Sequence, residues 1–365
     1  MRLFICCAPF HIFTATNIAY NNFKDSTKDI YITDHIEDNY RCYLELRDKG
    51  IFDNVYYIKV KNTTQVSIIS KYRIIRYTKI ILKYFDSKNI IPQLNNKKYE
   101  EVLISSPDIV SEIVYYYYKK KNSNMKLYMY EEGTFAYNYF EYKINIFKKI
   151  FTKILYGRNI MEDHDGAYLY KPELSKTYEN YNIKKIDIIS NKDFKSATVL
   201  NNIMGYKEVF KDKLNYKYIF MDQAFGVSDI LNEGIDIFEK IISQVGKENS
   251  VVKLHPRTEA NIYKEICKAV NIKAPYEIIA FNSDVNDKVL ISIFSSACLN
   301  PKIIFNQEPY VILLFKIIDI SIFSHINETS FDIAYKVKKN YKNPNKFFIP
   351  ETVEELQEIL KKIIK

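Results

Sequence analysis

Short apolar runs alternate with longer amphipathic stretches along almost the whole chain, and this alternation limits the fold more than any other feature. Short apolar runs are typical of strands buried in parallel sheets, and the amphipathic stretches between them are typical of crossover helices. The pattern therefore predicts an α/β protein. The predicted strands are 3–7, 29–33, 54–60, 101–105, 126–130, 218–221, 250–254, 288–293 and 310–314.

The predicted strands fall into two sets on either side of segment 190–213, which is rich in Asn and Lys and lacks a strand pattern. A chain of 365 residues is long enough for two domains of ordinary size. We place the boundary near residue 205 and predict two Rossmann-like domains, 1–205 and 206–365, that face each other across a cleft. The carboxyl ends of both sheets, where such folds bind ligands, would border that cleft.

The net charge of +9 favours an anionic partner, which the charge alone leaves open as a nucleotide, an acidic lipid surface or a nucleic acid. Lys and Tyr are spread evenly and no nucleic-acid-binding motif is recognisable, so we expect no nucleic-acid partner; a basic nucleic-acid-binding protein is the distant alternative. The five cysteines form no CxxC pair, which fits a reducing cytoplasm. No apolar run reaches the length of about 18 residues that a spanning helix needs.

Two stretches, 71–85 and 143–155, are both basic and amphipathic. In each, basic residues recur at spacings of three or four and so share one helical face, opposite an apolar face. Each stretch predicts either a surface helix packed on its own domain or an interfacial helix on an anionic membrane. The second alternative would place this cytoplasmic protein at the inner face of the cytoplasmic membrane.

His255 is the first candidate catalytic residue, because it directly follows the apolar run 250–254. It is therefore expected at the carboxyl end of a strand, where Pro256 ends the extended segment. An imidazole has an ordinary pKa of about 6.5, so it can donate a proton to a departing phosphate near neutral pH. A buried structural histidine is the alternative for His255.

An acidic pair, Glu131 and Glu132, follows the predicted strand 126–130. Two carboxylates that crowd each other can have a raised pKa, which suits a general base that takes a proton from a sugar hydroxyl. Gly133 allows the backbone and a ligand to approach closely. Asp222 follows strand 218–221 and is a second candidate base, and the spacing leaves the choice open.

Ser295 and Ser296 follow the strand 288–293, where a helix that begins would offer N–H groups and hydroxyls to a phosphate. A helix N-cap without a ligand is the alternative. Glu277 could accept hydrogen bonds from ribose hydroxyls, or could be an ordinary exposed glutamate. The chain has no GxGxxG or GK[ST] string, which argues against dinucleotide enzymes and P-loop ATPases.

Asp163-His164-Asp165 contains the Asp-x-Asp pattern that binds a metal in many glycosyltransferases with one nucleotide-binding domain. It follows Met161-Glu162 rather than a predicted strand and precedes Gly166. We interpret it as a loop and expect no metal site.

Together the motifs resemble those of bacterial sialyltransferases, above all glycosyltransferase family fifty-two, the lipooligosaccharide and capsule sialyltransferases. The resemblance covers most of the chain through short motifs. They are Leu3-Phe4-Ile5-Cys6-Cys7-Ala8-Pro9-Phe10-His11, Tyr130-Glu131-Glu132-Gly133-Thr134, Lys253-Leu254-His255-Pro256, Pro275-Tyr276-Glu277 and Phe294-Ser295-Ser296.

The resemblance implies a glycosyltransferase B fold and an inverting, metal-independent transfer from CMP-sialic acid to a galactose-terminated glycan. It makes 1–205 the acceptor side and 206–365 the nucleotide-donor side. His255 would assist the departure of CMP, and Glu131, Glu132 or Asp222 would deprotonate the acceptor. The donor-binding residues would be Ser295, Ser296, Glu277, Lys253, Pro256 and Gly133. The alternative is an enzyme of the same fold that uses another nucleotide sugar for a surface polymer.

Overall fold

The structure is a computed structural model and describes most of the chain. The described residues are 1–60, 87–141, 146, 149–150, 152–153, 159–176, 179–223, 228–255, 258, 262–263, 265–318 and 328–364. The chain divides into two compact units, Met1–Gly205 and Tyr206–Lys365. We call them the first and the second unit.

The first unit contains a parallel sheet, which has seven strands in the described part of the chain. Its strands are β1 (Arg2–Cys6), β2 (Lys28–Thr33), β3 (Asn54–Ile58), β4 (Glu101–Ile104), β5 (Lys126–Tyr130), β6 (His164–Leu169) and β7 (Ile183–Lys185). The spatial order is β3-β2-β1-β4-β5-β6-β7. Successive strands are added on one side of β1 as far as β3, and from β4 onward they are added on its other side. The carboxyl ends of β1 and β4 therefore form the switch point of a doubly wound fold.

The helices in the described part of the first unit are α1 (Pro9–Asn21), α2 (Asp38–Arg47), α3 (Ser87–Ile90), α4 (Ile109–Lys121) and α5 (Phe194–Met204). α1 to α4 lie between successive strands from β1 to β5, and α5 follows β7. Asp108 begins α4, since its carboxylate accepts hydrogen bonds from the N–H groups of Val110 and Ser111. Gly205 ends α5 in the left-handed conformation that glycine adopts without steric cost.

The second unit contains a parallel sheet of six strands within the ranges given above. They are β8 (Tyr218–Met221), β9 (Ser250–Lys253), β10 (Lys268–Val270), β11 (Val289–Ser292), β12 (Tyr310–Leu313) and β13 (Phe347–Phe348). The order β10-β9-β8-β11-β12-β13 places the switch point between β8 and β11. The helices are α6 (Val209–Lys213), α7 (Ser228–Val245), α8 (Tyr276–Asn282), α9 (Ser296–Phe305), α10 (Glu328–Lys339) and α11 (Val353–Ile364).

Short 3₁₀ turns complete both units, at Thr134–Glu141, Ile160–Glu162, Pro172–Leu174, Lys247–Asn249 and Pro344–Lys346. None of the helices in the described ranges combines the length and apolar character needed to cross a membrane. The buried strands explain the stability of the sheets, since the apolar residues of β1, β4, β5 and β11 are almost all fully buried.

All the strands predicted from the sequence are present, with ends within two residues of the predicted ones. The prediction of a loop at Asp163-His164-Asp165 is wrong, because β6 begins at His164. Both aspartates accept hydrogen bonds from residues of the first unit. Asp163 accepts one from the Tyr115 hydroxyl, and Asp165 accepts one from the Leu127 N–H. The acidic residues therefore hold β6 against β5 and α4.

Gly166 explains why β6 escaped prediction. Its φ is +157°, and a Cβ on it would lie 2.0 Å from the carbonyl oxygen of Asn182. A glycine is required where β6 and the segment before β7 approach so closely. Because β6 begins with charged residues and a glycine, its local sequence is typical of a turn.

Candidate active site

The carboxyl edge of the second sheet carries the predicted donor residues. Asp222 follows β8, His255 follows β9, and Ser295 follows β11. Because β9 and β11 flank β8, the ends of these two strands are about 10 Å apart across the switch point. The fold thus brings the His-Pro and Ser-Ser segments to one edge.

Asp222 holds the segment that contains His255. Its carboxylate Oδ2 accepts hydrogen bonds from the His255 N–H at 2.9 Å and from the Thr258 hydroxyl at 2.5 Å. Its Oδ1 accepts one from the Tyr263 hydroxyl at 2.9 Å. Asp222 is nearly fully buried, so these three donors compensate for the burial of its charge. The carboxylate fixes the backbone from which the imidazole extends.

Gln223 holds the segment that leads to the serine pair. Its Nε2 donates to the carbonyl of Phe294 at 2.6 Å, and its Oε1 accepts from the Phe294 N–H at 2.8 Å. One amide side chain therefore satisfies both backbone groups of the residue before Ser295. The sequence prediction does not include Gln223, although the position of this residue after the central strand β8 is a usable signal.

Ser295 and Ser296 begin α9 as predicted from the sequence. Ser295 is the N-cap, since its Oγ accepts a hydrogen bond from the Ala297 N–H at 3.3 Å. The Ser295 N–H donates to the buried Ser292 Oγ at 3.0 Å. Both serines are half-buried, so the first turn of α9 is partly accessible. The contact of the pair with a phosphate stays a prediction.

Lys253 and Glu277 lie in the interior rather than on an open surface. Burial lowers the pKa of the Lys253 ammonium to about 8, although the Glu277 and Asp222 carboxylates oppose this effect. Its Nζ donates to the carbonyl of Ile272 at 3.3 Å. Burial raises the pKa of the Glu277 carboxyl, and the Asn300 amide donates to it at 2.6 Å. Glu277 thus connects α8 to α9, and its contact with a ribose stays a prediction.

The acidic pair lies at the carboxyl end of β5 in the first unit, and its two members differ. Glu131 is fully buried, and its Oε2 accepts hydrogen bonds from the Tyr137 hydroxyl at 2.7 Å and the Tyr170 N–H at 2.8 Å. The side chain of Glu132 is 24% exposed and faces His11. Gly133 has a φ of +138°, which requires glycine where the chain leaves the strand. Glu132 is therefore the member that a substrate can reach.

Other predicted features lie partly or wholly outside the described residues. Pro256 and the basic stretch 71–85 are among them. In the stretch 143–155, Lys149 and Lys153 form ion pairs with Glu162. Ile146 and Ile150 are 64% and 52% exposed. Contact of this stretch with a membrane stays a prediction.

The sequence matches one family model over residues 2–314, described as alpha-2,8-polysialyltransferase (POLYST). No curated protein matches the chain significantly. The matched range includes Glu131, Glu132, Asp222, His255 and the serine pair.

Three solved structures show how similar this chain is to known folds. The glycotransferase of kitacinnamycin has a TM-score of 0.55 at 7% identity and covers 100% of this chain and 90% of its own. UGT89C1 of Arabidopsis thaliana, complexed with UDP-L-rhamnose, has a TM-score of 0.53 at 9% identity, and the match covers 100% of this chain and 90% of that chain. UGT2 of Phytolacca americana, complexed with UDP-2fluoro-glucose and pterostilbene, has a TM-score of 0.52 at 7% identity, and the match covers 100% of this chain and 93% of that chain. At these identities the likeness shows the fold, which is of the glycosyltransferase B type and confirms the expected fold class.

Proposed function

Because this chain belongs to the alpha-2,8-polysialyltransferase family and has the fold of a glycosyltransferase, we propose that it transfers sialic acid from CMP-sialic acid to a glycan hydroxyl. The reaction is a single displacement that inverts the anomeric centre. The acceptor oxygen forms a bond to the anomeric carbon of sialic acid while the bond from that carbon to the phosphate oxygen breaks. CMP leaves with the electron pair.

The observation that best supports this proposal is the pair of neighbours Asp222 and Gln223. One binds the backbone of His255 and the other binds the backbone of Phe294, directly before the serine pair. The segments that carry His255 and the serine pair are thereby held at the switch point of one sheet, where doubly wound folds bind ligands. This supports the assignment of His255 as proton donor and of the serine pair as the phosphate-binding turn for a departing nucleoside monophosphate.

On the donor side, His255 gives its proton to the phosphate oxygen that leaves. Ser295, Ser296 and the first N–H groups of α9 hold the same phosphate. Glu277 is assigned to the ribose, and the charge of Lys253 interacts with its carboxylate. Pro256 stays a predicted donor-binding residue that lies outside the described residues. Each hydrogen bond that strengthens in the transition state contributes on the order of 3 kcal/mol.

On the acceptor side, a carboxylate of the first unit takes the proton of the attacking hydroxyl. We assign this role to Glu132, since it is the exposed member of its pair. Glu131 supports the turn through Tyr137 and Tyr170, and Gly133 lets the acceptor approach. Asp222 is assigned to positioning because three donors of the second unit occupy its carboxylate.

The proposal includes no metal cofactor. CMP carries one phosphate, so less negative charge develops on it than on a nucleoside diphosphate. Protonation by an imidazole and a few hydrogen-bond donors can stabilise that charge. The aspartates near Gly166, Asp163 and Asp165, accept hydrogen bonds from Tyr115 and Leu127 within the first unit.

Two acceptors fit the proposal. The motifs suggest a galactose-terminated glycan, whereas the family description specifies an α2,8 linkage, which joins one sialic acid to another. The family match favours an acceptor that ends in sialic acid, and repeated transfer would then give a polymer.

The test is incubation of the full-length protein with CMP-sialic acid, excess EDTA and either a galactose-terminated or a sialic acid-terminated oligosaccharide. We expect a sialylated product with at least one acceptor and an inverted anomeric configuration by NMR. The control replaces CMP-sialic acid with UDP-sugars. Transfer from a UDP-sugar alone would contradict the proposed donor, and loss of transfer with EDTA would contradict metal independence.

A further inference from the structure

A buried histidine at the carboxyl edge of the first sheet contacts the acidic pair. His11 lies in the first turn of α1, after β1, and is 8% exposed. Ser105 follows β4 and Glu132 follows β5, and these three strands are neighbours in the sheet. The side chains meet: His11 Nδ1 is 2.8 Å from Ser105 Oγ, and His11 Nε2 is 3.6 Å from Glu132 Oε2.

The contacts of Nδ1 fix the tautomer of His11. The N–H of Cys7 donates a hydrogen bond to Nδ1 at 3.2 Å, and a backbone N–H can only donate. Nδ1 therefore carries no proton, and the hydroxyl of Ser105 must also donate to it. The single proton of the neutral ring lies on Nε2, which faces Glu132.

This arrangement orients Glu132. The distance of 3.6 Å exceeds that of a good hydrogen bond, but such contacts often tighten when substrate binds. With its proton on Nε2, the ring can donate a hydrogen bond to the Glu132 carboxylate and so fix the direction of its oxygens.

We propose that His11, held by Ser105 and the Cys7 N–H, is a positioning residue that orients Glu132 for deprotonation of the acceptor hydroxyl. The proposal rests on the function proposed above, and it deepens that function by singling out Glu132 over Glu131. The contacts of His11 involve no residue of the second unit, to which donor cleavage is assigned. The rate of CMP-sialic acid hydrolysis can therefore be compared with the rate of transfer in the same variant.

The first test compares His11→Phe with His11→Gln. Phenylalanine retains the ring but offers no donor, whereas glutamine places an amide N–H near the position of Nε2. We expect kcat for transfer to fall at least tenfold in His11→Phe, with the KM of the donor and the rate of CMP-sialic acid hydrolysis within twofold of wild type. His11→Gln should recover most of kcat. Equal losses of transfer and hydrolysis, or no rescue by glutamine, would overturn the proposal.

Neighbouring serines provide the matched control. Ser105 contacts His11, whereas the hydroxyl of Ser106 donates to Asp108. We expect Ser105→Ala to lower kcat for transfer several-fold and Ser106→Ala to leave it unchanged. Equal effects of the two substitutions would overturn the proposal.

An NMR measurement that does not depend on catalysis tests this inference separately from the proposed function. The ¹⁵N shifts of His11, assigned by their loss in His11→Gln, should show that the neutral ring carries its proton on Nε2. A neutral ring with its proton on Nδ1 would overturn the inference even if transfer is observed. A wild type without transfer from CMP-sialic acid would overturn the proposed function while this spectrum still tests the role of His11.

Discussion

Asp222 and Gln223 show at the residue scale how a short polar segment can hold the backbone at the carboxyl edge of a sheet. Asp222 looks like a base in the sequence, because it follows a strand at the switch point. In the structure its oxygens bind the segment after β9, and the amide of Gln223 binds the segment after β11. Removing either side chain should therefore affect the position of residues that the substitution does not touch.

Gln223→Leu tests this role in nucleotide binding. The variant retains the volume of the side chain but leaves the N–H and carbonyl of Phe294 without these bonds, at a cost of about 1–3 kcal/mol. We expect the affinity for CMP, measured by calorimetry, to fall about tenfold. The matched control is Gln307→Leu, because Gln307 binds Ala280, Ser283 and Val285 at the opposite edge of the sheet. A loss of CMP affinity in both variants would contradict a specific role for Gln223.

His164 gives a pH-dependent stability at the residue scale. Burial lowers its pKa to about 3, whereas the unfolded value is about 6.5. The unfolded chain then binds more protons between these values, so the free energy of unfolding falls as the pH decreases through this window. Between pH 6.5 and 4.5 the wild type should lose about 2 kcal/mol more than His164→Gln. The free energy of unfolding is measured by urea unfolding at each pH. The same pH dependence in the wild type and in His164→Gln would contradict the burial of a neutral ring.

At the scale of secondary structure, the buried amino end of β2 shows what holds the first sheet together. The carboxylate of Asp29 is fully buried and accepts bonds from the Lys97 ammonium at 2.6 Å, the Tyr99 hydroxyl at 2.7 Å and the Asn54 amide at 2.8 Å. This network joins β2 to β3 and to the segment before β4. It lies at the edge opposite the acidic pair.

Asp29→Ala should therefore destabilise the first unit by about 1–3 kcal/mol, because it leaves the buried Tyr99 hydroxyl without its acceptor and the Lys97 ammonium, which is 30% exposed, without its partner. Urea unfolding measures this change. Asp48→Ala is the control, since Asp48 pairs with Arg47 on an exposed surface and its loss should change stability little. Similar midpoints for both variants would contradict the importance of the buried network.

The strands illustrate how far the sequence predicts the fold. β5 and β8 are continuous apolar runs, so both their existence and their ends were predictable. β6 begins with His164, Asp165 and Gly166, and β7 has only three residues, so neither has a strand pattern. For such strands the pairing with a neighbour, and not the local sequence, determines the structure.

The candidate site was predictable to the same extent. The sequence predicts that His255, Ser295 and the acidic pair follow strands, and the structure confirms these positions at the carboxyl ends, where parallel sheets bind ligands. The roles of Gln223 and His11 depend on which strands are neighbours. That order is set by the three-dimensional pairing of β8 with β9 and β11, and of β4 with β1 and β5, which sequence spacing does not encode.

At the scale of the whole molecule, each unit supplies one half of the proposed chemistry. The second unit carries the residues that we propose as proton donor and phosphate-binding turn, and the first carries the acidic pair with His11. Variants of the first unit should reduce transfer more than donor hydrolysis, whereas variants of the second should reduce both. In the proposed mechanism, both reactions depend on the His255 imidazole.

The decisive measurement is therefore kcat for sialic acid transfer by His255→Asn relative to wild type, at saturating CMP-sialic acid with excess EDTA. Asparagine retains the backbone N–H that Asp222 binds, so CMP affinity should stay within about threefold of wild type. We expect kcat to fall at least about a hundredfold, as for loss of a general acid. A variant kcat within a few-fold of the wild-type value would contradict the assignment of His255 as the proton donor.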